Sequence, residues 1–363
     1  MSSVVVIADR LIPFTDGSWD WPFRLLRLDA GDITHERIRA EKATALLIRT
    51  RTLCDRKLLE NTGIRFIGTA TIGTDHIDRQ YCIQAGIEAR GVPGCNSGAV
   101  MQYVASALSL YFRSRECLPA SLRLGIVGYG HVGKKVEKLG QALGMEVWIN
   151  DPPLQELGGL NHSVPLKSIL ENCDIVTLHV PLEAEGRHPT LRLLGLEETM
   201  KMKESSCLIN TSRGRIVDEK ALPEIYRMKP GLKYIADVWE QEPRIDPEVL
   251  SRSFLATPHI AGYSIDGKYN ATLGILKALY QHFGWGTIPG IPAPAPPADA
   301  VIEADTLSDG FLAVYDPRKE DALLRATPSA FETLRSKYAL RHELHHYRLL
   351  TGGRVNKIFP FTG

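Results

Sequence analysis

Three polar groups follow three successive apolar runs in the second half of the chain, and their types suit proton transfer beside a carboxylate. Thr211-Ser212-Arg213-Gly214 follows the run ending at Asn210. Glu242 closes Asp237-Val238-Trp239-Glu240-Gln241-Glu242, behind the next run. His259 sits in Thr257-Pro258-His259-Ile260-Ala261-Gly262-Tyr263, behind another. An arginine held after a strand can grip a carboxylate with its two-pronged guanidinium; the bland alternative is a surface arginine in a turn. Histidine titrates near neutral pH and suits a base that removes a hydroxyl proton. A carboxylate on its far nitrogen would orient the ring and favour its charged form. A lone histidine before an apolar run is more often structural, but three such groups behind three successive runs favour a site.

These groups need elements to carry them. The stretch Leu122–Val127 is an apolar run of strand character that ends in Gly128-x-Gly130-x-x-Gly133. Val132, Val136, Leu139 and Leu143 then recur at helical spacing, and a second apolar run ends at Asn150-Asp151. The first glycine suits a tight turn, the second a close backbone approach to a pyrophosphate, and the third close helix–strand packing. The free N–H groups at the helix start face the phosphates. Asp151 stands near the spacing of an acid that binds a ribose 2′-OH, with no Arg or Lys beside it to hold a 2′-phosphate. The motif predicts a dinucleotide site and favours NAD over NADP.

The pattern around this unit is α/β. Val4–Ala8, Ala45–Ile48, Phe66–Gly68 and Ile87–Ala89 read as strands, with helices over Arg56–Asn61 and His76–Ala85, which suggests a parallel sheet with crossover helices. Ser97–Arg113 reads as a long helix bridging into the nucleotide unit. Beyond it, strands at Asp174–His179, Ser206–Asn210 and Tyr234–Val238 should bring Asp151, His179, Asn210 to Arg213 and Asp237 to one crevice at their carboxyl ends. An amphipathic helix over 266–284 precedes a proline-rich stretch of linker composition, including Ile291-Pro292-Ala293-Pro294-Ala295-Pro296-Pro297. The last 65 or so residues have small α+β character and are too few to be stable alone, so they should dock on the body or on a second subunit.

Composition narrows the classes. Hydrophobic residues are 44% and charged residues 23% of 363, with a net charge of +1. That balance gives no reason to expect nucleic acid or a membrane as a partner. No apolar run is long enough to span a bilayer. The first residues read as a strand rather than a signal peptide. Six cysteines without a C-x-x-C pair suggest reduced thiols and a cytoplasmic protein.

Arg213, Glu242 and His259, with Phe66-Ile67-Gly68-Thr69-Ala70-Thr71-Ile72-Gly73-Thr74-Asp75-His76, Val92-Pro93-Gly94-Cys95-Asn96 and Thr257–Tyr263, resemble the motifs of the D-isomer-specific 2-hydroxyacid dehydrogenases. The tail, in Val314-Tyr315-Asp316-Pro317-Arg318 and Phe331-x-x-Leu334-Arg335, resembles the extra C-terminal dimerisation domain of a branch that oxidises a small phosphorylated 2-hydroxy acid. The resemblance implies two Rossmann-like doubly wound parallel-sheet domains plus a small α+β dimerisation domain. The substrate domain is expected over 1–95 and 263–285, the NAD domain over 96–262, and the dimerisation domain, joining a homodimer, over 286–363.

It also implies roles. His259 takes the hydroxyl proton, Glu242 pairs with His259, and Arg213 binds the substrate carboxylate and polarises the developing carbonyl. Cofactor positions fall on His131, Val132 and Asp151, on Thr211, Ser212 and Arg213, and on Asp237 and Gly262, beside Gly128, Gly130 and Gly133. Substrate positions fall on Thr50, Thr71 and Tyr263. For the phosphate, Arg49 and Arg51 after a strand are candidate donors, or else solvated surface charges. Gly98, early in the bridging helix, departs from the larger residues usual there. Arg335, Arg341 and Arg348 are expected to reach a partner's cleft.

Three other readings stand beside this one. His342-Glu343-Leu344-His345-His346 matches H-E-x-x-H, which on a helix would put two histidines on one face for zinc with Glu343 as base. No third ligand follows it and the segment is charged, so no metal is expected. A sensor of NAD(H) would not need the intact trio. A sister dehydrogenase acting on another 2-hydroxy acid, such as 3-phosphoglycerate, would lack the tail.

Overall fold

In a computed structural model, residues 4–17, 19–351 and 354–356 are described. They form two compact units, one of residues 1–96 and 264–295, the other of 97–263 and 296–363.

The first unit is built on five parallel strands in the order Arg24–Leu28, Val5–Asp9, Ala45–Ile48, Phe66–Thr69, Glu88–Arg90. The central strands Ala45–Ile48 and Phe66–Thr69 are wholly buried, as uninterrupted apolar runs in a two-sided parallel sheet must be. One face carries short crossover helices over Ile38, Leu59 and Cys82. The other is covered by the helix Ile265–Phe283, whose Ala271, Ile275, Leu276 and Leu279 pack on Ala8, Leu47 and Phe66. Strand Arg24–Leu28 was not foreseen: its arginines interrupt the apolar run, and it is a half-exposed edge.

The second unit has six parallel strands in the order Leu255–Ala256, Lys233–Ala236, Cys207–Asn210, Ile175–Leu178, Arg123–Val127, Glu146–Asn150. Arg123–Val127 pairs with the next strand on one side and with Ile175–Leu178 on the other, so strand order reverses there. Ligands of open α/β sheets bind beyond the carboxyl ends at such a switch point. Both units are therefore doubly wound parallel α/β sheets, as expected. The helix Ser97–Arg115 runs through the core of the second unit, with 15 of its 19 residues buried.

The C-terminal segment packs within this unit. It contributes a three-stranded mixed sheet of Val301–Glu303, Arg348–Thr351 and Arg354–Asn356. Its helix Arg318–Ala326 covers the short edge strand: Asp321 accepts a hydrogen bond from the Ala256 N–H at 2.7 Å, and Arg325 donates to the carbonyls of Leu250 and Ser253 at 2.6 and 2.7 Å. An uncovered strand edge is a pairing hazard, and this cover removes it. No helix of the described residues is long and apolar enough to cross a membrane.

Candidate active site

The nucleotide loop has the geometry its glycines suggest. Gly128 adopts φ +93°, in the left-handed region, and a Cβ there would lie 2.5 Å from the His179 carbonyl oxygen. Gly133 packs so closely on the Gly128 carbonyl that any side chain would collide with it. Gly130 differs: a Cβ there would meet nothing within 4 Å, so the protein's own packing does not demand a glycine. The helix His131–Ala142 starts at Gly130 with no side-chain cap, which leaves its first N–H groups to other acceptors.

Asp151 follows the adjacent strand and accepts backbone N–H groups from Tyr129 at 2.8 Å and Leu154 at 2.9 Å, one on each carboxylate oxygen. A carboxylate has about four lone-pair sites, so acceptor capacity for a ribose hydroxyl is left. The Thr211 hydroxyl is buried and has no hydrogen-bond partner among the described residues. An open space at Gly130, an uncapped helix start, an acid beside it and an orphaned hydroxyl fit a dinucleotide.

Arg213, Glu242 and His259 follow three neighbouring strands, Cys207–Asn210, Lys233–Ala236 and Leu255–Ala256, and the last two of these groups meet. His259 Nδ1 and Glu242 Oε2 are 2.7 Å apart, and Glu242 Oε1 accepts the Trp239 N–H at 3.0 Å. Burial works to raise the Glu242 carboxyl, but the hydrogen bond and charge of His259, the Trp239 N–H and the charge of Arg335 outweigh it and hold the group below its ordinary range. His259 itself has φ +56°, a conformation non-glycine residues adopt rarely. Asp237 enforces it. Its fully buried carboxylate accepts from Thr257 Oγ1 at 2.7 Å and from the N–H groups of Ile260 and Ala261 at 2.8 and 2.9 Å, while its carbonyl accepts the His259 N–H at 2.8 Å. Burial raises the Asp237 carboxyl despite these donors.

Arg213 is fixed through its own turn. Asn210 donates from Nδ2 to the Arg213 carbonyl at 3.0 Å and accepts the Ser212 N–H and hydroxyl at 3.1 and 2.9 Å. Gly214 then lies flush against the backbone of Trp239 and Glu240, where any Cβ would strike the Trp239 carbonyl. That contact seats the arginine's turn against the segment that carries Glu242.

Behind this segment stands Glu219, 6% exposed, with one carboxyl oxygen lacking a hydrogen-bond partner among the described residues. Burial, reinforced by the charges of Glu240, Glu242 and Asp246, pushes it up to about 8, against one opposing backbone hydrogen bond at Glu240. An acid whose folded-state value is raised keeps its proton where the unfolded chain has lost it, so its contribution to stability declines from the ordinary carboxylate range up to about pH 8. Glu219→Gln removes that decline. The melting temperature of the variant minus that of the wild type should rise steadily from pH 5 to pH 8, and a constant difference would contradict the assignment.

The substrate candidates divide between the units. In the first, Thr50 is exposed after strand Ala45–Ile48. Thr71 Oγ1 donates to the Gly73 carbonyl at 2.9 Å and lies 2.8 Å from Thr69 Oγ1, which reaches the buried His76 Nε2 at 3.0 Å. Arg49 is not a free surface charge: its Nε lies 2.9 Å from the Asp9 carboxylate, which is 1% exposed. In the second unit, the Tyr263 hydroxyl accepts a hydrogen bond from Arg335 Nε at 3.1 Å.

Two sequence readings of the tail meet its observed contacts. Arg335 and Arg341 spend their guanidiniums inside their own chain, the latter on the carbonyls of Ile260, Ala261 and Ala99 and on Gln102 and Tyr338. The H-E-x-x-H segment is not an α-helix: only Leu344–His346 forms a single 3₁₀ turn, and Glu343 is buried against Gly98. A Cβ on Gly98 would run into the Glu343 carboxylate, which accounts for the small residue at that place in the long helix. Sequence reasoning gave Asp237 to the cofactor and missed its hold on the His259 loop; an acid ending a buried run was the available signal.

Residues 113–261 match the family model of the D-isomer specific 2-hydroxyacid dehydrogenase NAD-binding domain. The class is thus a dehydrogenase acting on CH–OH groups with an NAD-binding domain. The chain is 43% identical over 346 residues to an erythronate-4-phosphate dehydrogenase of Bacteroides fragilis, covering 95% of this chain and 99% of that protein. A relative of the same name from Marinobacter nauticus is 37% identical over 374 residues, covering 98% and 97%. The fold is shared with the NAD⁺-bound 3-phosphoglycerate dehydrogenase of Entamoeba histolytica, at a TM-score of 0.64 and 23% identity over 81% of this chain and 99% of that one. The chain belongs to the erythronate-4-phosphate dehydrogenases, within the D-2-hydroxyacid dehydrogenase family.

Proposed function

We propose that this protein oxidises 4-phospho-D-erythronate to 2-oxo-3-hydroxy-4-phosphobutanoate, a step toward pyridoxal 5′-phosphate. The observation that carries the reading is the His259–Glu242 pair at 2.7 Å, in the same unit as the nucleotide loop. The whole-length similarity to erythronate-4-phosphate dehydrogenases supports the substrate.

Bound by Gly128, Gly130, His131, Val132, Gly133, Asp151, Thr211, Ser212, Arg213, Asp237 and Gly262, NAD supplies a hydride acceptor. His259 Nε2 removes the proton of the hydroxyl next to the substrate carboxylate, because Nδ1 is held by Glu242. The Glu242 carboxylate favours the imidazolium that forms. Arg213 holds the carboxylate in two-pronged fashion and polarises the oxygen that becomes a carbonyl. Thr50, Thr71, Tyr263 and Arg49 are the candidate donors for the remainder of the substrate.

Steady-state rates with 4-phosphoerythronate, 3-phosphoglycerate and D-lactate test the reading. A marked preference for the first is expected, and equal or better turnover of either other acid overturns it. The homodimer is proposed from the tail's resemblance to a dimerisation domain. Light scattering on the same preparation should give about twice the chain's 40.3 kDa, and a single-chain mass excludes it.

A further inference from the structure

The loop behind strand Phe66–Thr69 holds a row of three side-chain hydrogen bonds whose direction follows from the groups themselves. Thr71 Oγ1 lies 2.9 Å from the Gly73 carbonyl oxygen and 2.8 Å from Thr69 Oγ1, which in turn lies 3.0 Å from His76 Nε2. A carbonyl only accepts, so the Thr71 hydrogen goes to Gly73. Thr71 then has no hydrogen for Thr69, and Thr69 must donate to Thr71. That spends the Thr69 hydrogen, so the last bond takes its hydrogen from His76 Nε2. Any other order leaves two of these polar atoms in contact with no hydrogen between them. Thr69 is fully buried and His76 only 8% exposed, so the order is set by these groups and not by solvent. Burial also lowers the affinity of the His76 ring for a second proton, against the charge of Asp75. A neutral ring carries one hydrogen, and here it belongs on Nε2.

Thr71 is the partly exposed end of this row, beyond the carboxyl end of its strand, where open parallel sheets place ligands. Its carbonyl accepts the Val92 N–H at 3.1 Å, which pins the loop to the end of the next strand. A hydroxyl has one hydrogen and two lone pairs. Thr71 has spent the hydrogen and one lone pair, so what it offers a ligand is a single acceptor. The groups of 4-phosphoerythronate then sort themselves. Its carboxylate carries no hydrogen, and its phosphate is largely dianionic at neutral pH. The hydroxyl next to the carboxylate gives its proton to the base. The C3 hydroxyl is the donor that remains. We propose that Thr71 is a specificity-determining residue that accepts a hydrogen bond from the substrate's C3 hydroxyl, with Thr69 and His76 as positioning residues that fix its sense. The inference rests on the reading of 4-phosphoerythronate as the substrate, and it takes Thr71 out of the donors available to the phosphate.

The test compares 4-phosphoerythronate with D-2-hydroxy-4-phosphobutanoate, which lacks only the C3 hydroxyl, in the wild type, Thr71→Val and Thr71→Ser. The wild type should prefer the hydroxylated acid in kcat/KM by about tenfold, the effect of one well-made hydrogen bond. Thr71→Val, of nearly the same volume, should turn over the two acids within about twofold of each other, and Thr71→Ser should keep the preference. A merely structural Thr71 would lower both rates together and leave their ratio intact, and that result overturns the proposal. So does a wild-type ratio near one. The sense of the row is read separately, in the free protein, by nitrogen NMR of the His76 ring. The hydrogen should be on Nε2, and a neutral ring protonated on Nδ1 overturns the proposal without any turnover. If Thr71→Val does not fold, the wild-type ratio and the His76 tautomer still decide. No wild-type turnover of 4-phosphoerythronate overturns the substrate reading and this inference with it, whereas normal turnover with a ratio unchanged in Thr71→Val overturns this inference alone.

Discussion

His259→Asn is expected to lower kcat for oxidation of 4-phosphoerythronate by about 10²- to 10⁴-fold, the range general-base catalysis supplies. Asparagine is the informative replacement. The residue stands at φ +56°, where a β-branched or bulky side chain would add strain, and asparagine visits that region more readily than most. The loop's hydrogen bonds run through backbone groups and Asp237, so they survive the exchange. Loss of rate then reports loss of the imidazole rather than collapse of the turn. The nucleotide loop lies in other strands' ends, and NADH affinity, read by fluorescence titration, should change by less than about threefold. Glu242→Gln should cost less than His259→Asn, because it removes the partner of the base and leaves the base itself. A loss of under tenfold in His259→Asn would remove the proton-transfer role and leave only a nucleotide-binding fold.

How much of this was legible in the sequence depends on how local the cause is. Strands such as Ala45–Ile48 and Phe66–Thr69 are short apolar runs buried on both faces, and their type and ends follow from hydrophobicity alone. The glycine loop is legible because each glycine answers to a backbone constraint a few residues away. The His259–Glu242 pair spans 17 residues, and only parallel strand order brings it together. The sequence suggested it because both groups follow buried runs, which in a parallel sheet end on one side.

What stayed hidden comes from long-range packing. Arg335 reaches Tyr263 across 72 residues, and Arg49 reaches Asp9 across 40. No period or spacing encodes either contact. Gly98 looked like a departure from the family pattern, and its cause is Glu343, far along the chain. The H-E-x-x-H match gave no expectation of a metal, for the related reason that a motif carries its chemistry only in its own context. Here His342 and His346 come together without an α-helix, their ring centroids 5.1 Å apart, and the glutamate is spent on packing.

The second large effect is expected at Arg213. Arg213→Lys should lower kcat/KM for 4-phosphoerythronate by about 10²-fold or more, although the charge is kept. A guanidinium offers two parallel N–H donors to a carboxylate, and an ammonium on a flexible stem does not reproduce that fork. Each charge-assisted hydrogen bond contributes about 1.5–3 kcal/mol, so losing one of them is already tenfold or more. The turn cannot readjust to compensate. Asn210 grips the Arg213 carbonyl and Ser212, and Gly214 is pressed on the Trp239 carbonyl, so the root of the side chain is fixed. If the arginine only anchored the substrate carboxylate, KM would rise and kcat would hold. Because it also polarises the oxygen that becomes a carbonyl, both should change, with kcat falling at least tenfold. A variant with wild-type kcat and raised KM would confine Arg213 to binding, and unchanged kcat/KM would remove it from the site.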